Sequence, residues 1–239
     1  MRLQHLPLDR RIALSYIAAC AALLGCRPRL TALVPQPLDP VDRDSAVVWA
    51  RRSLPLHPTA IRFRWKYEDR EKRWGGRGQA RIAPPDSLRF DYVGPLGLGA
   101  GAAAVVGDST IWADPEKNFR SLVPAVRMLW AGLGIVRPPS AEASVFGAGR
   151  ADSSVRVWRF VQGEDTLDYR EAEGAARVLE AEWRRQGNVR ARSRMQFDAH
   201  RMPAAARIDF PEDAARFELT VVSVDTAAVL DPAIWRRRR

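Results

Sequence analysis

The sequence predicts a mainly β protein of the α+β kind, folded as one antiparallel sheet with a minority of helix. Strict alternation, turn chemistry and the rarity of helical spacing all point to it. Ile61, Phe63, Trp65 and Tyr67 alternate with Arg62, Arg64, Lys66 and Glu68. Val189, Ala191, Ser193, Met195 and Phe197 alternate in the same way with Arg190, Arg192, Arg194, Gln196 and Asp198. A period of two puts one apolar and one charged face on each segment. Turn residues separate such segments, as in Ala83-Pro84-Pro85-Asp86-Ser87 and Gly163-Glu164-Asp165. A sheet patterned like this has to cover its apolar side by curling or by helices laid across it.

The first segment is not part of that sheet. Arg2, Arg10 and Arg11 precede Ile12 to Gly25, an uncharged and mostly apolar run. As a helix it spans about 21 Å, short of the roughly 30 Å hydrocarbon core, which is signal-peptide length rather than a membrane span. It ends in Leu23-Leu24-Gly25-Cys26, which resembles the bacterial lipobox, whose cysteine is lipidated and becomes the N-terminus. An ordinary secretory peptide or an uncleaved anchor is the alternative. The expected organisation is a signal peptide over 1–25, a lipid-anchored flexible tether over 26–41 and a single domain over 42–239. The tether is read from the prolines of RPRLTALVPQPLDPV.

Within the domain, Asp42 or Asp44 is placed to cap a short helix over 45–54, with Val47, Ala50 and Leu54 on one face. Strands follow at 61–67, weakly at 79–82, then at 88–92 and 110–113, the last closed by Asp114-Pro115. Residues 121–133 return to helical spacing, and 137–154 read as an exposed loop. Val155–Val161 and Thr166–Arg170 form a hairpin, and 189–197, 207–210 and 217–224 complete the strands. Residues 171–186 have good helix propensity, but the hairpin rhythm on both sides favours a strand over 177–184.

Composition bounds the rest. A chain of 239 residues with 46% hydrophobic content can bury a core and is not generally disordered. The net charge is +10, and only Lys66, Lys72 and Lys117 among the basic residues are lysines. Arginine reads phosphate well by its planar fork; a compositional bias toward Ala, Arg, Gly and Pro is the alternative reading. Export argues against nucleic acid as the partner. Cys20 lies in the apolar leader, so Cys26 would be alone in the mature chain and no intrachain disulfide is expected.

The stretch VGPLGLGAGAAAVVGDST at 93–110 carries three readings. A nucleotide-binding reading of Gly97-x-Gly99-x-x-Ala102 fails because no long helix follows. Gly107-Asp108-Ser109 suggests a nucleophilic serine, but the mature chain offers only His57 and His200 as bases, and a hairpin turn explains it as well. No metal site of sensible spacing is present, and no cofactor is expected. The third reading is a strand, a tight turn and a returning strand, with leucines at the turn where polar residues are usual.

LRFDYVGPLG, the hairpin after it and VPAVRMLWAGLGI together resemble the LolB-type outer-membrane lipoproteins, which accept lipoproteins from the periplasmic carrier LolA. The resemblance implies a curved, unclosed antiparallel β half-barrel, covered by a few helices over an apolar cavity. It implies outer-membrane placement on the periplasmic face, with Arg27 after Cys26 rather than an inner-membrane retention signal. It implies a non-enzymatic role in delivering acyl chains or lipoproteins, with a periplasmic carrier protein as partner and a monomeric state. The family's membrane-contacting leucine falls on Leu96, and Leu98 extends the same loop. The rings and apolar groups expected to line a cavity are Phe63, Trp65, Tyr67, Phe90, Tyr92, Trp112, Leu129, Trp130 and Trp183. The competing expectation is an envelope lipoprotein of structural or interaction type, in which these side chains simply fill a core and the arginines at 236–239 contact anionic lipid or a partner.

Overall fold

A computed structural model describes residues 32–34, 37–97, 99–148 and 154–237. The expected signal peptide, Cys26 and Leu98 lie outside the described residues. The alternating segments become β2 (Thr59–Glu68), β3 (Arg73–Ala83), β4 (Ser87–Val93), β5 (Gly101–Val106) and β6 (Ser109–Asp114) in the first half. The second half supplies β7 (Ser144–Ala148), β8 (Val155–Gln162), β9 (Asp165–Ala172), β10 (Val178–Arg185), β11 (Asn188–Phe197), β12 (Pro203–Phe210) and β13 (Ala215–Asp225). A short β1 (Asp39–Pro40) precedes them. The helices are α1 (Arg43–Arg51), α2 (Glu116–Leu122) and α3 (Val126–Gly132).

All the strands join one 13-stranded sheet in the order β1-β7-β8-β9-β10-β11-β12-β13-β2-β3-β4-β5-β6. Each half is a meander of sequential neighbours, and β13 pairs antiparallel with β2 to stitch the halves together. β1 and β6 are the free edges, so the sheet is a half-barrel and not a closed one. Burial follows the sequence period: β2 alternates buried and exposed from Ile61 to Glu68. The apolar face is concave, and α3 lies over β10, β11 and β12 while α2 lies over β5 and β6. Phe63, Phe90, Trp130, Tyr169 and Phe217 are fully buried there; each contributes about 2–3 kcal/mol of apolar transfer.

Asp42 caps α1 by accepting a 3.0 Å hydrogen bond from the Ser45 amide. The buried face of α1 is Ala46, Trp49 and Ala50 rather than Val47, Ala50 and Leu54. Trp49 rotates the helix onto that face: its indole donates to Glu171 at 2.8 Å and stacks on Trp158 at 5.5 Å. The expected helix over 121–133 is two helices, because Pro124 has no N–H to donate and breaks the run between Val123 and Ala125. The expected loop at 137–154 contains β7, a five-residue strand held between β1 and β8. The segment 178–185 is the strand β10 despite its helix propensity, since both of its edges pair, with β9 and with β11. Before residue 41 the chain already meets the sheet: β1 pairs with β7, and Val34 is buried with its carbonyl 3.5 Å from Arg159.

Candidate functional site

The turn between β4 and β5 projects from one end of the sheet, where β2 ends and β3 begins. Pro95–Gly97 forms a single 3₁₀ turn, closed by a 3.3 Å bond from the Gly97 amide to the Gly94 carbonyl. Leu96 occupies left-handed backbone at φ 57° and is 100% exposed. That region costs a residue with a Cβ about 1–2 kcal/mol, and among the described residues nothing packs on the leucine side chain. Trp74, on the neighbouring β3, is 44% exposed at the same end.

Seven of the residues expected to line a cavity, Phe63, Trp65, Tyr67, Phe90, Tyr92, Leu129 and Trp130, are buried together in the concave core. Phe63 stacks on Phe90 at 5.3 Å, and Trp65 meets Tyr92 edge-on at 6.1 Å. Gly78 leaves room for the Phe63 ring, which lies 2.4 Å from where a Cβ would stand. Trp183 is half-buried at the rim, with the Arg127 guanidinium of α3 5.3 Å over its ring and its indole donating to Asp165 at 3.1 Å. Trp130 fastens α3 to the β5–β6 turn by donating to the Gly107 carbonyl at 2.7 Å, and Arg137 packs over its ring.

Trp112 departs from expectation by facing the convex side. The β5–β6 register slips between Ala104 and Val105, so Ile111 is an extra residue and Trp112 falls in the row of Ala104 and Arg89. There the Arg89 guanidinium sits 4.6 Å from the ring, and the indole donates to the Trp235 carbonyl at 2.8 Å. The C-terminal turn Pro232–Trp235 is thereby pinned across β4 and β6, with Arg89 also donating to Ile234 at 2.5 Å.

Two buried polar features carry no signal in the sequence pattern. Tyr92 has its hydroxyl buried without a hydrogen-bond partner among the described residues. Burial, aided by the Asp114 charge, pushes its pKa up to about 12. The second is on the convex face, where the arginines are organised. Arg159, Asp168, Glu182, Arg192, Asp209, Arg216, Glu68 and Arg73 lie side by side in one cross-strand row from β8 to β3. Arg159 holds the fully buried Asp168 at 2.6 Å, and Arg184 bridges Asp168 and Glu182. A second row pairs Glu180 with Arg170 at 2.6 Å and with Arg194 at 2.7 Å. Alternation placed these charges on one face; only the strand register reveals that they match across it.

Catalytic geometry is not assembled at the serine. Gly107 (φ 61°) and Asp108 form the β5–β6 hairpin turn, and Ser109 opens β6 in an exposed position. His57 and His200 are exposed, the latter in a turn where Asp198 accepts from its amide at 2.8 Å. Among the described residues no group of His, Cys, Asp and Glu is arranged to hold a metal ion, and no helix is long and apolar enough to cross a membrane.

No protein-family model matches the chain, and no curated protein does. Among solved structures, it is similar to a "putative outer membrane lipoprotein-sorting protein domain" from Vibrio parahaemolyticus, at 8% identity over 80% of this chain and 94% of that one, with a TM-score of 0.51. A LolA superfamily protein from Nitrosomonas europaea aligns over 82% of this chain and 98% of its own at 12% identity, with a TM-score of 0.49. At such identities, what the Vibrio domain shares with this chain is the fold.

Proposed function

We propose that this chain is a lipid-anchored protein of the bacterial outer membrane that hands acyl chains or lipoproteins to the bilayer without catalysing a reaction. Cys26 is the anchor, Leu96 with Leu98 is the element that enters the membrane, and a periplasmic carrier is the donor. The observation that carries the reading is Leu96, which stands fully in water on left-handed backbone. An exposed leucine held at a conformational cost serves contact with something outside the chain. The half-barrel fold shared with the Vibrio lipoprotein-sorting domain supports it. The concave rings touch one another in this state, so an acyl chain enters only when α2 and α3 shift; each methylene then buried contributes about 0.8 kcal/mol.

Leu96→Glu tests the delivery step. Its stability should stay within about 0.5 kcal/mol of the parent, as for other exposed sites, while transfer of a lipoprotein from carrier to membrane vesicles is lost. Normal transfer by that variant removes the reading. A second reading, an envelope lipoprotein with a permanently filled interior, is favoured by the contact of Phe63 with Phe90 and of Phe90 with Phe119 and Phe217. Mass spectrometry of lipids retained by the full chain carrying Cys26→Ser separates the two: co-purified acyl lipid supports the carrier, and a lipid-free protein supports the filled core.

A further inference from the structure

The matched charge lattice of the convex face breaks down in the middle of β2 and β3, beyond the Glu68–Arg73 pair. Arg64 lies directly opposite Arg77, with Thr220 on one side and Val93 on the other, and Arg62 lies one row away opposite Gln79. Among the described residues these three guanidiniums have no carboxylate at ion-pair distance. The nearest acid in the patch, Asp91, is already held by Arg81 at 2.6 Å and Arg89 at 2.8 Å. Like charges directly opposite on neighbouring strands repel, so the fold gains nothing from this arrangement.

The same arginines border a groove of about 460 Å³ whose remaining walls include Val93 and Val222. Val222 is the extra residue where the β13–β2 register slips, and the bulge turns it outward to 63% exposure. Val93 is the last residue of β4, immediately before the turn that carries Leu96. Arg237, 3.6 Å from Asp114, lies at the same end of the sheet. Unpaired arginines and a groove with apolar walls thus lie on the strands that lead to the exposed Leu96 turn.

We propose that this groove is a binding site for the phosphates of anionic phospholipid headgroups, through which the protein selects a negatively charged bilayer surface. Guanidinium groups bind phosphate by paired N–H donors, and Val93 and Val222 suit the glycerol and first methylenes beside it. The proposal rests on the membrane-facing reading of Leu96 only for which end meets the bilayer.

The test is partition of the full chain carrying Cys26→Ser between buffer and vesicles. One set of vesicles is pure phosphatidylcholine and the other mixes in phosphatidylglycerol. Substituting Arg62→Gln, Arg64→Gln and Arg77→Gln together should lower partition into the anionic vesicles by about tenfold or more, flatten its salt dependence and leave partition into neutral vesicles unchanged. The control removes the same charge elsewhere, by Arg51→Gln, Arg120→Gln and Arg194→Gln, and should lower partition much less. Equal partition of the groove variant and the parent overturns the proposal, and so does an equal fall in the control. Leu96→Glu separates the two ideas: loss of delivery with the anionic preference intact defeats neither, whereas normal delivery removes the transfer role alone.

Discussion

At the scale of single residues, the sites that depart from ordinary folding rules are the informative ones. Leu96 pays a backbone cost with no packing return, so Leu96→Gly should leave the urea midpoint unchanged or raise stability by up to about 1 kcal/mol, while weakening vesicle contact. Asp168 is the opposite case. It is fully buried between Arg159 and Arg184, so Asp168→Asn leaves buried positive charge uncompensated and should cost about 3–5 kcal/mol in denaturant unfolding. Tyr92 tests burial without satisfaction. Its hydroxyl has no partner, so Tyr92→Phe should be neutral or stabilising by up to about 1 kcal/mol at pH 7. Its pKa is raised by burial to about 12. The protonated ring therefore contributes stability that is complete below its ordinary value of about 10 and is lost as pH climbs through about 12. Alkaline unfolding followed by circular dichroism should be less steep over that window in Tyr92→Phe.

At the scale of elements, the strands were legible wherever alternation ran undisturbed, as at 61–67 and 189–197. β7 was not, because five residues that include Gly147 are too few to show a period. Trp112 faces the convex side against expectation for a related reason: the slip beside Ile111 reverses every side chain after it, and no local residue announces a bulge. Pro124 did announce the break between α2 and α3, but the apolar spacing on both sides of it read as one helix. Glycines govern how closely elements approach. A Cβ at Gly76 would stand 2.0 Å from the Val93 carbonyl oxygen, so Gly76→Ala should prise β3 from β4 and cost roughly 3 kcal/mol or more, visible as faster amide exchange at the Leu96 end. The bond from Trp130 to Gly107 fastens α3 over the sheet. Trp130→Phe should cost about 1–3 kcal/mol and, if the helices act as a lid, should speed uptake of a fluorescent fatty acid.

At the scale of the whole molecule, the described arginines include a set matched by carboxylates in cross-strand rows and a smaller set left open on β2 and β3, toward the Leu96 turn. Composition disclosed the excess but not the division, which depends on which strands are neighbours. The fold class was readable because a two-faced sheet has few ways to hide its oily side. The mutual contact of the rings was not, since alternation gives facing and says nothing of how far opposite walls stand apart.

The pairing of β13 with β2 sets an order of events during synthesis. The centre of the sheet is closed by a strand that leaves the ribosome some 150 residues after its partner, a span read from Glu68 to Ala215. Until then the two meanders expose raw edges at what will become the middle, where nascent chains are open to mispairing. Arrest of translation ahead of residue 215 should therefore leave two protease-sensitive halves, and protection should arrive in one step when the last strand emerges.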